Sequence, residues 1–142
     1  MTKRTRNFVL ALLVVIFAVL MCGIFGLTER LGIKGFSFTG MIALAAGLFG
    51  LGILQVVLTI KSKDAKLKKI FFILAGAAAA CIPVFAILHN VVYGLFFNGK
   101  EGDEAVFFIL AVLVCPILFA VGSLGSVVCE ILAQKKPRMN TN

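Results

Sequence analysis

The sequence predicts an all-α membrane protein: four transmembrane helices in an antiparallel bundle, with both termini cytoplasmic. Three observations lead there. Apolar residues fill 61% of the 142 positions, against roughly half in an ordinary soluble domain. Charged residues make up only 14%, and they cluster between long apolar runs. Four such runs fit the length at about 20 residues per spanning helix. A soluble core cannot absorb this much apolar surface, and no length is left for a soluble catalytic domain. The chain therefore reads as one integral membrane domain over residues 1–142, with helices at about 8–27, 38–60, 70–97 and 105–133.

The first helix follows a basic start, Lys3, Arg4 and Arg6. That start resembles the n-region of a signal peptide, and Val19-Leu20-Met21-Cys22 resembles a lipoprotein cleavage box. Met21 is too large for such a box, the apolar run continues past Cys22, and no small-x-small site follows, so the segment is expected to stay as a helix. A loop over residues 28–36 leads to the second helix, with Ser37 or Thr39 as its cap. Ala43, Gly47 and Gly50 recur there at helical spacing, a pattern that lets membrane helices approach closely.

The central segment from Lys61 to Lys69 carries five lysines and ends one helix as it starts the next. The third helix holds a second small-residue patch, Gly76 to Ala80, then Pro83, His89, Asn90 and Tyr93. The fourth, from Ala105, contains Pro116, with Gly122 and Ser126 one turn apart. Each proline removes a backbone donor, leaving the carbonyls of Ala79 and Val112 without their usual partners.

Basic residues set the orientation. Lys3, Arg4, Arg6, the central lysines, Lys135, Lys136 and Arg138 fall on one side, and Arg30, Lys34 and Lys100 on the other. The positive-inside rule then puts both termini and the central loop in the cytoplasm, and the compact loops suggest a prokaryotic cytoplasmic membrane. The net charge of +8 lies beside the apolar runs, which suits anionic lipid headgroups and not nucleic acid.

The candidate functional residues are few. His89 is the sole histidine, about 9 Å from the third helix's midpoint if Pro83 marks it, at 1.5 Å per residue. With Asn90 and Tyr93 it is a candidate ligand or transport path; its alternative role is an interhelical hydrogen bond. Gln55 and Glu130 are candidates for a polar layer near the cytoplasmic ends of their helices, or Glu130 pairs there with a nearby lysine. Asp103 and Glu104 read as first-turn acids of the fourth helix. The packing candidates are Ala43, Gly47, Gly50, Gly76, Ala80, Gly122 and Ser126.

Cys22, Cys81, Cys115 and Cys129 form no Cys-x-x-Cys pair, which disfavours thiol exchange. A metal or thiol sensor using Cys22 and His89, with Cys115 at similar depth, has no support from spacing, and no metal or cofactor is expected. There is no intramembrane carboxylate pair, no nucleophile with its base and no phosphate loop, so an enzyme is not expected. The expected role is a non-enzymatic membrane protein that associates with itself or with a membrane partner. The alternative is a small channel or transporter lined by His89, Asn90 and Tyr93.

Overall fold

The computed structural model describes residues 3–26, 37–97 and 104–135. The first loop with Arg30 and Lys34, the second with Lys100, Glu101 and Asp103, and the tail with Lys136 and Arg138 lie outside the described residues. The described chain is all-helical, with four helices long and apolar enough to cross a membrane: α1 (Lys3–Ile24), α2 (Phe38–Ile60), α3 (Lys66–Phe97) and α4 (Ala105–Lys135). Exposed apolar side chains such as Val15, Phe49, Ile87, Leu113 and Leu124 surround the bundle, a surface suited to lipid and unsuited to water.

α2 keeps the expected bounds and α1 stops at Ile24, short of the expected 27, but three helices run past their apolar runs at the charged ends. α1 starts at Lys3, α3 at Lys66, and α4 ends at Lys135. Lysine and arginine are good helix formers with long apolar stems, so charge marks a membrane edge without stopping a helix. Backbone chemistry sets the stops. Gly26 takes φ +64 just beyond α1, a conformation a residue with a Cβ adopts only at a cost. At the start of α2 the Ser37 hydroxyl accepts from the Gly40 amide at 3.2 Å. Glu104 opens α4 in the same way, its carboxylate accepting from the Phe107 amide at 2.8 Å.

Two helical stretches widen into π turns, Tyr93–Phe97 at the end of α3 and Leu110–Val114 within α4. The second ends two residues before Pro116. The Cys115 amide there reaches back five residues to the Leu110 carbonyl, so the backbone is already rearranged where the proline cannot donate.

α3 is the central helix and packs on α1, α2 and α4. Its contacts with α2 and α4 come down to backbone. A Cβ on Gly52 would stand 2.6 Å from the Gly76 carbonyl oxygen, and one on Gly122 would stand 2.5 Å from the Ala75 nitrogen. Small residues let these helices approach until main chains touch. Leu13, Leu48, Phe72 and Phe119 fill the wider remainder of the core. Phe17 of α1 meets Phe119 of α4 with ring centroids 4.5 Å apart.

Candidate functional site

The largest concentration of buried charge lies where the first turn of α1, the α2–α3 turn, the start of α3 and the end of α4 meet. Arg6 donates from Nη1 to the Asp64 carboxylate. Lys68, one turn beyond Asp64, stands 3.3 Å from the second Asp64 oxygen and pairs with Glu130 of α4. Arg6 Nη2 lies 3.9 Å from the same Glu130 oxygen, which attracts it without hydrogen bonding. Two cations and two carboxylates thus balance within one network joining three helices and a turn.

Packing holds the network in place. The Arg6 guanidinium lies over the Phe72 ring, 3.9 Å from its centroid, a favourable cation–π arrangement where water is excluded. Side-chain exposure is 3% for Arg6, 6% for Asp64, 9% for Lys68 and 23% for Glu130. Burial by itself pushes the Asp64 carboxyl up. Hydrogen bonds from Arg6 and Ser62 and the charges of Arg6 and Lys68 outweigh it, and hold the group at about 2, below its ordinary 3.8. Arg6 Nε and Nη2 nevertheless lack a hydrogen-bond acceptor among the described residues.

Two cavities adjoin the network. One, of about 630 Å³, lies between the start of α1 and the α2–α3 turn and is lined by Lys3, Arg6, Leu58, Lys61, Lys63 and Asp64, with Ser62. The other, of about 500 Å³, is an apolar groove between α1 and α4, walled by Leu10, Val14, Phe72, Val127 and Ile131, with Asn7 and Glu130 at one end.

A second polar site joins the far part of α3 to the start of α4. The Nδ1–H of His89 faces the Glu104 carboxylate at 2.9 Å and the Glu104 carbonyl at 2.8 Å. Two oxygen acceptors on one nitrogen fix the proton there. Phe108 and Tyr93 pack around the imidazole, with centroids 5.3 and 6.3 Å away. Burial raises the Glu104 carboxyl, but the Phe107 amide, His89 and the Val106 amide more than offset this, and it ends below its ordinary value.

The residues singled out in the sequence distribute as follows. His89 has a titratable partner after all, in Glu104, which the sequence presented only as a helix-start acid. Asn90 is exposed, its amide donating to the Ala86 carbonyl at 2.7 Å, and Tyr93 is exposed as well, beside the His89 ring. Gln55 and Glu130 are not bonded to each other. Gln55 is wholly buried, with neither amide atom paired among the described residues, while Glu130 pairs with Lys68 of α3. Gly76 and Gly122 lie at the tight crossings, with Ala80 against Gly52, and the buried Ser126 donates to the Gly122 carbonyl at 2.7 Å. Gly47 faces Ile16 at 3.6 Å, whereas Ala43 and Gly50 are exposed, and a Cβ on Gly50 would meet nothing within 4 Å. All four cysteines are free, and only Cys115 is buried. Among the described residues no three of His, Cys, Asp and Glu come together as a metal site would need.

Arg6, Asp64 and Lys68 were legible only as topology charges. Their one distinguishing signal was Asp64 itself, the only acid in a lysine run and one helical turn before Lys68. Comparison of the chain with protein-family models, curated proteins and solved structures gives no match.

Proposed function

We propose that this protein is a non-enzymatic integral membrane protein that acts by association, as a homo-oligomer or as an accessory subunit of a membrane partner. The outward face of α2 carries the reading. Thr39, Ala43, Ala46 and Gly50 recur along it at helical spacing, and all four are exposed. The contacts within the chain use a different set, Gly52, Gly76 and Gly122. A small-residue face that packing among the described residues leaves open suits a second helix approaching closely. The helices form an antiparallel bundle with both termini and the α2–α3 turn on the cytoplasmic side of a prokaryotic membrane, as the basic residues direct. In that frame the ion network ties the ends of three helices and the α2–α3 turn together at the cytoplasmic face.

Oligomer counting in lipid tests this, by cross-linking in native membranes and by subunit counting after reconstitution. The expected result is a defined assembly that Gly50→Leu dissolves without unfolding the chain. A wild-type chain that is monomeric and partnerless in its own membrane refutes it.

One observation favours the transport alternative: Gln55 and Ser123 have polar atoms inside the bundle that are unpaired among the described residues, between the ion network and the His89–Glu104 pair. Buried groups of this kind are satisfied by water or a permeant species when not by protein. Proteoliposomes should then show a proton, ion or metabolite flux that His89→Ala abolishes. The backbone contacts at Gly52 and Gly122 give this reading less support than association, because they close the centre of the bundle.

A further inference from the structure

We propose that the pocket between the first turn of α1 and the α2–α3 turn binds a phosphate-bearing anion, either the headgroup of an acidic lipid or a soluble phosphate. Charge comes first. Arg6 and Lys68 already balance Asp64 and Glu130 in the adjoining network. The pocket lining adds Lys3, Lys61 and Lys63, and none of these pairs with a carboxylate among the described residues. Three uncompensated lysines therefore surround one cavity of about 630 Å³, a volume within the usual small-ligand range of about 300–1,000 Å³.

The second observation is independent of the first. Arg6, only 3% exposed, also lines this pocket, and among the described residues its Nε and Nη2 have no hydrogen-bond acceptor, the nearest Glu130 oxygen lying 3.9 Å from Nη2. Leaving guanidinium donors unmet in a buried position is costly, and the donor fork matches the oxygens of a phosphate. Lysines on flexible stems add point charge around the same group. Leu58 supplies an apolar wall beside the charged groups, where the glycerol and upper acyl chain of a lipid would lie. Pockets of this composition at the end of transmembrane helices favour anionic headgroups. The proposal does not rest on self-association through α2, and its test does not require an oligomer.

The test uses the full chain in detergent micelles, with binding followed by native mass spectrometry and by thermal melting. Phosphatidylglycerol, phosphatidylcholine and inorganic phosphate are added separately. Wild type should retain phosphatidylglycerol or phosphate, and melt higher with it, while phosphatidylcholine does neither. The variant Lys3→Gln/Lys61→Gln/Lys63→Gln should bind roughly a hundredfold more weakly, about fivefold for each lysine removed. Arg4→Gln/Lys66→Gln/Lys135→Gln loses the same charge outside the pocket and should bind as wild type. All six positions are exposed, so both variants keep the packed core, and unchanged melting without additive checks this. Inorganic phosphate displacing the lipid assigns the site to soluble phosphates; lipid retained in its presence assigns it to the headgroup. Equal retention of phosphatidylcholine, equal loss in both variants, or full binding by the pocket variant overturns the proposal.

Discussion

Replacing Gly52 by alanine adds one methyl group at the tightest point between α2 and α3. Its carbon would stand 2.6 Å from the Gly76 carbonyl oxygen, 2.8 Å from the Ala80 nitrogen and 3.0 Å from the Ala80 Cβ. Favourable contact distances begin near 3.5 Å, so the helices must separate by several tenths of an ångström. Two of the three obstacles are backbone atoms, and no rotamer change relieves them. Separation is also resisted from behind, where α3 meets α4 with Gly122 against Ala75. Overpacking of a tight core costs about 1–3 kcal/mol, and alanine's better helix propensity returns up to about 1 kcal/mol. The expected net loss is about 1–2 kcal/mol. Reversible unfolding in mixed micelles, followed by far-ultraviolet circular dichroism, measures it. Gly50→Ala, only two residues away, faces open space and should be neutral or slightly stabilising. Equal effects of the two substitutions would refute this assignment of inner and outer faces on α2.

Other expectations concern the polar sites. Asp64, at about 2 against an ordinary 3.8, contributes stability that is fully present above about pH 4 and is lost as the pH falls towards 2. The amount is about 2 kcal/mol at about 1.4 kcal/mol per unit. Acid titration of wild type against Asp64→Asn should show a step in that window only in wild type, and superimposable curves would count against the Arg6–Asp64 pair. Lys68→Met leaves the buried Asp64 and the half-buried Glu130 facing Arg6 alone and should cost about 3 kcal/mol, the low end for a broken buried pair, whereas the paired Lys68→Met/Glu130→Met should recover most of the loss. A double variant no more stable than the single would show that the two do not act as a pair. For His89 and Glu104, either alanine substitution should lower the melting temperature, Glu104→Ala more because it also removes the Phe107 cap, and the double variant should fall little below Glu104→Ala, since the His89 contact is already gone there. Additive shifts would mean that the two side chains act separately.

The four spans were legible because hydropathy over about 20 residues is a coarse and redundant signal. The Ser37 cap was legible too, since a hydroxyl before an apolar run has few other local uses. What the sequence could not reveal depends on rotation and on distance along the chain. α2 is rich in small residues on more than one side, and spacing alone drew attention to Ala43, Gly47 and Gly50 while Gly52 makes the closest approach. Hydropathy varies little around such a helix, so the inner face has no contrast to mark it. The ion network escaped for another reason. Arg6 meets Asp64 across 58 residues, and each charge taken alone is what the positive-inside rule already leads one to expect. Glu104 was read as a helix-start acid, which it is. Its second contact, with His89, follows only once α3 and α4 are packed together.

The central claim is that the outward small-residue face of α2 is an association surface, and subunit counting in lipid tests it most directly. Wild type and Gly50→Leu, reconstituted in nanodiscs or proteoliposomes at the same protein-to-lipid ratio, should differ in stoichiometry and not in fold. A defined assembly for wild type that becomes monomeric in Gly50→Leu, with helicity and unfolding unchanged, is the predicted result. The same stoichiometry for both chains, in the native membrane as in reconstituted lipid, would contradict the account.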